Sequence, residues 1–203
     1  SFTGPTIASQ TASITAKALT ASMVAPDKVY DGTATATATL TVTGGLVGNE
    51  TVGAGGTASF NSKDVLTANL VTVTSTTLTN GTNGGLASDY SLSAGQTDAS
   101  VITPATLSAT LAEIANKTYD GNVTATVGVT LAGVIGQDSV SGSGTGLYDN
   151  RNVGTNKPVT VASINLSGID ASNYVATQPV NNATTGTISP LSSVAWVGGA
   201  AGN

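Results

Sequence analysis

A chain of 203 residues with a formal charge of −5, 8% charged and 4% aromatic residues, and neither cysteine nor histidine leaves few chemistries open. Lacking those two residue types, it has no Ser-His-Asp or Cys-His catalysis, no ordinary zinc site, and no haem or iron–sulfur ligation. Its six basic residues (Lys17, Lys28, Lys63, Lys117, Arg151 and Lys157) are scattered, so no basic stripe exists for nucleic acid, and no apolar run of about 18 residues exists to span a membrane.

Thr and Val, which suit a pleated and half-buried surface, are plentiful, whereas the helix formers Lys, Glu and Arg are scarce. The chain therefore reads as all-β. Residues 1–13 read as the closing strand of a preceding repeat, and residues 14–101 as a first complete one. Within it Leu19, Ala21 and Met23 alternate, the mark of a strand with one buried face. Tyr30-Asp31-Gly32 follows as a turn, because Asp tolerates unusual backbone angles and Gly takes a positive φ without strain. From Ala34 to Thr43 an apolar residue alternates with Thr. The exposed row Thr35, Thr37, Thr39, Thr41 and Thr43 is laid out like a flat ice-binding array, but a solvent-facing strand explains it more simply. Val71 and Val73 share one parity and Leu78 has the other, which predicts a β-bulge or a bend between sheets.

The second repeat, residues 102–190, restates the first at an offset of about 88 positions. Leu107, Ala109 and Leu111 match Leu19, Ala21 and Met23, and Gly136, Asp138 and Val140 match Gly48, Glu50 and Val52. Tyr148 matches Phe60, and the parity change recurs from Val159 and Val161 to Leu166. Tyr119-Asp120-Gly121 restates Tyr30-Asp31-Gly32 one residue out of phase. Residues 191–203, with Trp196, read as the start of a linker. About seven short strands per repeat predict two tandem immunoglobulin-like, Greek-key β-sandwiches. The junction from Ser100 to Leu107 has no Gly/Ser spacer, so the pair is expected to form an extended rod. Small-angle scattering checks this: a radius of gyration near the ~17 Å of a single sphere of this length would rule the rod out.

Several motifs, in order, resemble the YDG/MBG repeats of filamentous-haemagglutinin-like exoproteins of two-partner secretion systems. They are Lys28-Val29-Tyr30-Asp31-Gly32 and Lys117-Thr118-Tyr119-Asp120-Gly121, then Gly48-Asn49-Glu50-Thr51-Val52 and Gly136-Gln137-Asp138-Ser139-Val140. Asn152-Val153-Gly154, Gly168-Ile169-Asp170-Ala171-Ser172-Asn173-Tyr174 and the closing Ile102-Thr103-Pro104 and Ile188-Ser189-Pro190 complete the set; Asp64-Val65-Leu66 is a looser match. The resemblance implies stalk or spacer repeats of a large secreted or surface adhesin of the Gram-negative outer membrane, supporting adhesion or biofilm formation, with no catalytic residue. It also implies neighbouring repeats as partners, with any host-cell or matrix polysaccharide contacted through other domains, and a monomeric fragment.

Asp170 and Tyr174 resemble a tyrosine corner, in which a phenol bonds back to backbone at a strand start. The first repeat keeps Tyr90 but has Leu86 in place of Asp170, so its corner is expected to be built differently. Calcium, needing only oxygen ligands, has Asp27, Asp31 and Glu113 as candidates near the repeat ends. No Asp-x-Asp-x-Asp run exists, however, and ordinary solvated carboxylates explain these residues more simply; no other cofactor is expected. Lys28 and Lys117 recur at equivalent positions, which raises a Lys–Asn isopeptide crosslink, although lysines usually stay solvated. A carbohydrate-binding β-sandwich is the alternative function. The five tyrosines, however, sit mostly in positions the repeats share. The eleven acids offer no recognisable glycosidase pair.

Overall fold

The computed structural model describes residues 12–178 and 183–192, the side chains of Glu113 and Ala183 excepted. The closing strand expected in residues 1–13 (up to Thr11), the linker start from residue 193 with Trp196, and the Glu113 side chain lie outside the described residues. The described chain is all-β, with two three-residue 3₁₀ turns, Ala87–Asp89 and Ala171–Asn173, as its only helical segments.

The chain divides into two compact units. One comprises Ser1–Lys28, Ala34–Lys63 and Thr67–Val101; the other comprises Val29–Thr33, Asp64–Leu66 and Ile102–Asn203. The turn carrying Tyr30 therefore folds with the second unit although it lies in the first repeat of the sequence.

In the first unit Thr20–Val24 pairs antiparallel with Thr39–Gly44, and Val52–Phe60 pairs antiparallel with Val71–Asn80, flanked by Thr35–Ala36 and Thr97–Asp98. Lys17–Ala18 runs parallel to Tyr90–Ser91. The alternating stretch from Ala34 is thus two short strands in two sheets rather than one strand. Thr35–Ala36 bonds to Ala58 and Ser59, whereas Thr39–Gly44 bonds to the strand at Met23. The five threonines are all exposed, as a solvent-facing edge requires, but the switch between sheets breaks the row as a flat array.

In the second unit the long strands Ala105–Ile114, Thr124–Ala132, Ser141–Tyr148, Gly154–Ser167 and Ala183–Ser189 pair antiparallel in chain order, a meander. Tyr174–Ala176 and Lys117–Thr118 add parallel edge pairings at its two ends. A Greek key would instead return its fourth strand beside the first by a long connection.

The predicted parity change is a β-bulge in both units. Ala58 and Thr57 face Val73 and Ser75, leaving Thr74 over. Gly146 and Thr145 face Val161 and Ser163, leaving Ala162 over. One extra residue turns the following side chains to the other face, so Val71 and Val73 are buried while Leu78 packs on a separate cluster with Leu19, Val52 and Tyr90. The second unit's core gathers Ile114, Ala125, Val127, Tyr148, Val159 and Ile188.

Candidate functional site

The Lys-x-Tyr-Asp-Gly motif forms a stapled turn. Asp31 Oδ1 accepts the Thr33 amide at 2.9 Å and its hydroxyl at 2.8 Å, and Gly32 takes φ 80°. Asp120 Oδ1 accepts the Asn122 amide at 3.0 Å, with Gly121 also at φ 80°. An Asp that closes the loop on itself followed by a left-handed glycine is turn chemistry in both copies. The lysine then ties the turn to the next strand. Lys28 Nζ donates to the Thr35 carbonyl at 2.9 Å, and Lys117 Nζ donates to the carbonyls of Asn122 and Thr124, both at 3.1 Å. Lys117 also pairs with Asp120 at 2.7 Å and holds its carboxyl below the usual range. Lys117 is 16% and Asp120 47% exposed, and Lys117 Nζ also donates to Asn122 Oδ1 at 2.8 Å.

The tyrosine of each repeat's C-terminal half builds the second feature. In the second unit the backbone N–H of Ile135 donates to Tyr174 Oη at 3.0 Å, and Tyr174 Oη donates to Asp138 Oδ2 at 2.6 Å. The phenol thus bonds back to backbone as a corner tyrosine does, but Asp170 does not touch it. Asp170 Oδ2 instead accepts the Ser139 amide at 2.8 Å, fastening the loop that presents Asp138. Asp138 Oδ2 accepts a second phenol, Tyr30 Oη, at 2.9 Å, and the Tyr30 and Tyr174 rings meet edge-on at 5.4 Å. Both rings are buried. A carboxylate that accepts two phenol protons is well satisfied, since bonds to an ionised acceptor are the stronger kind.

The first unit builds the same latch. The Val47 amide donates to Tyr90 Oη at 3.1 Å, and Tyr90 Oη donates to Glu50 Oε2. The expectation of a differently built corner therefore holds for the loop and not for the phenol: Leu86 leaves the phenol bonds untouched because the aspartate it replaces never held them. The job of Asp170 passes to the backbone. Thr51, the counterpart of Ser139, donates its amide to the Thr82 carbonyl at 3.2 Å and accepts the Thr82 amide on Oγ1 at 2.7 Å. The residues that sequence reasoning missed are Glu50 and Asp138. The signal was present, since an acid recurs there at the repeat offset.

Burial first, and then the Asp138 carboxylate, push the Tyr174 phenol up to about 12, with the Ile135 N–H acting in the opposite direction. Its ordinary value is 10.0. A phenol that holds its proton more tightly in the folded than in the unfolded chain contributes stability that is fully present below about pH 10 and lost as pH rises toward about 12. Urea unfolding from pH 8 to 11.5 should show the stability advantage of wild type over Tyr174→Phe shrinking across the upper part of that range. A constant advantage would contradict it.

Two of the calcium candidates, Asp27 and Asp31, are spent on backbone. Asp27 Oδ1 accepts the Val101 amide at 2.8 Å, and Asp31 closes its own turn. Among the described residues no three Asp, Glu, His or Cys side chains come together to hold a metal ion. A shallow depression lined by Val129, Leu131, Val134, Val140 and Gly142 offers neither a ring nor a charge to a ligand.

The model of the YDG domain family matches the chain twice, over residues 15–99 and 103–203. No curated protein and no solved structure matches it. The two matches contain both stapled turns and both tyrosine–carboxylate latches, and the chain belongs to the YDG domain family.

Proposed function

We propose that the chain is a pair of structural stalk or spacer repeats of a large bacterial adhesin, secreted or held at the cell surface. One observation carries this reading: the conspicuous residues of both motifs are consumed by their own fold. Tyr174, Tyr90, Asp138 and Glu50 bond to one another and to backbone, while Asp31 and Asp120 close turns and Asp170 fastens the loop of Ser139. A binding site would present such groups toward solvent, and sugar sites favour exposed rings. Tyr30, Tyr90, Tyr148 and Tyr174 are each 5% exposed or less. Adhesion or biofilm function then belongs to other parts of a longer polypeptide, with repeats of this kind supplying reach.

A glycan array tests the proposal. The stalk reading expects no signal above that of an unrelated all-β protein. Saturable binding that is lost on substituting residues of these repeats would replace it with the carbohydrate-binding alternative.

A further inference from the structure

Within the second unit the turn Val29–Thr33 and the segment Asp64–Leu66 lie against a face formed by Ile135, Asp138, Asn173 and Tyr174. Tyr30 bonds to Asp138, and a Cβ on Gly32 would stand 3.2 Å from Ile135 Cγ2. The Val65 amide donates to Asn173 Oδ1 at 2.9 Å, and Asn173 Nδ2 donates to Asp64 Oδ1 at 3.3 Å. Tyr30 and Asn173 are each 2% exposed.

The repeat gives each side of this apposition a counterpart that is open among the described residues. The counterparts of Tyr30, Asp64 and Val65 are Tyr119, Asn152 and Val153 of the second unit. Tyr119 is only half-buried, packed on its own core, and its hydroxyl has no hydrogen-bond partner among the described residues. Asn152 is exposed and Val153 is 50% exposed. The counterparts of Ile135, Asp138, Asn173 and Tyr174 are Val47, Glu50, Asp89 and Tyr90 of the first unit. Val47 is 52% exposed and Asp89 is exposed.

The two open sets also match in chemistry. Where the closed apposition sets an Asp, Asp64, against an Asn, Asn173, the open sets offer Asn152 and Asp89, the same pair with its members exchanged. An amide donating to a carboxylate is recovered in either arrangement. Asp89 can take the Val153 amide as Asn173 takes that of Val65, and Glu50 can take the Tyr119 phenol as Asp138 takes that of Tyr30.

We propose that these sets are the two halves of a head-to-tail joint. The turn Tyr119–Gly121 with Asn152 and Val153 forms the plug, and Val47, Glu50, Asp89 and Tyr90 form the socket. The occupant of each is a second copy of this chain, bringing the complementary half. The inference deepens the stalk reading and rests on it for a supply of repeats in line. Glycan binding would overturn that reading and leave the joint standing, whereas the experiment below bears on the joint alone.

Contacts between tandem modules work at effective concentrations on the order of millimolar, so the joint should be visible between separate chains at up to about that concentration. In two-dimensional NMR of the whole chain over that range, resonances of Val47, Asp89, Tyr119 and Val153 should shift together, and exchange of the Val153 amide should slow several-fold. Asn152→Asp, which sets two carboxylates against each other, should abolish the shifts, Asp89→Asn, which leaves an amide pair, should keep them, and adding Asp89→Asn to Asn152→Asp should restore them. Spectra that do not change with concentration, shifts confined to other residues, or a double variant no better than Asn152→Asp alone would each overturn the joint.

Discussion

Tyr174→Phe should destabilise the second unit by about 1–3 kcal/mol while leaving its fold intact. The ring and its packing survive, but the hydroxyl both accepts the Ile135 amide and donates to Asp138. Removing it takes one of two phenol donors from a half-buried carboxylate and leaves the Ile135 N–H without its acceptor, and an orphaned group of that kind costs about 1–3 kcal/mol. For a unit of this size each kcal/mol lowers Tm by roughly 4–8 °C, so differential scanning calorimetry should resolve the change easily. Tyr90→Phe should shift the first unit in the same direction, because Val47 and Glu50 repeat the two bonds. A melting curve unchanged by Tyr174→Phe would show that the latch carries no stability.

Gly168→Ala should cost at least about 2 kcal/mol. Gly168 takes φ +117°, a conformation L side chains rarely adopt, and its Cβ would stand 2.1 Å from the Ser139 carbonyl oxygen. Strain of that kind costs about 1–3 kcal/mol by itself, and the overlap with backbone must be relieved by moving the loop that Asp170 fastens. That loop carries Asp138, so the same substitution should loosen the latch. Gly85 approaches Thr51 as closely in the first unit, with its Cβ 2.0 Å from the Thr51 carbonyl oxygen, and Gly85→Ala should behave alike. Chemical denaturation of each variant checks this, and a loss under about 0.5 kcal/mol would contradict it.

Much of this architecture is legible in the sequence because the chain states it twice. The shift in parity after Val73 and after Val161 could be read as a bulge, since a period of two registers any inserted residue as a change of face. The Asp-Gly turns were legible because their chemistry is local. The split of the stretch from Ala34 was not, since the alternation runs on unbroken while the strand changes sheets: periodicity reports which face a residue presents and not which strand it bonds. The partner of Tyr174 was missed for a related reason. Asp170 is near in sequence, whereas Asp138 reaches the phenol only through the closing of a loop across 36 positions. Proximity along the chain suggested the wrong acid, and the acid shared at Glu50 and Asp138 was the better guide.

The direct test of the latch is a pair of double-mutant cycles, Tyr174→Phe with Asp138→Asn and Tyr174→Phe with Asp170→Asn, each followed by urea unfolding. Residues that bond directly show interaction energies of about 0.5–3 kcal/mol, and independent ones add to within roughly 0.3–0.5 kcal/mol. The structure predicts coupling above about 1 kcal/mol for Tyr174 with Asp138 and a markedly smaller value for Tyr174 with Asp170. Equal coupling to both acids, or coupling to Asp170 alone, would contradict it.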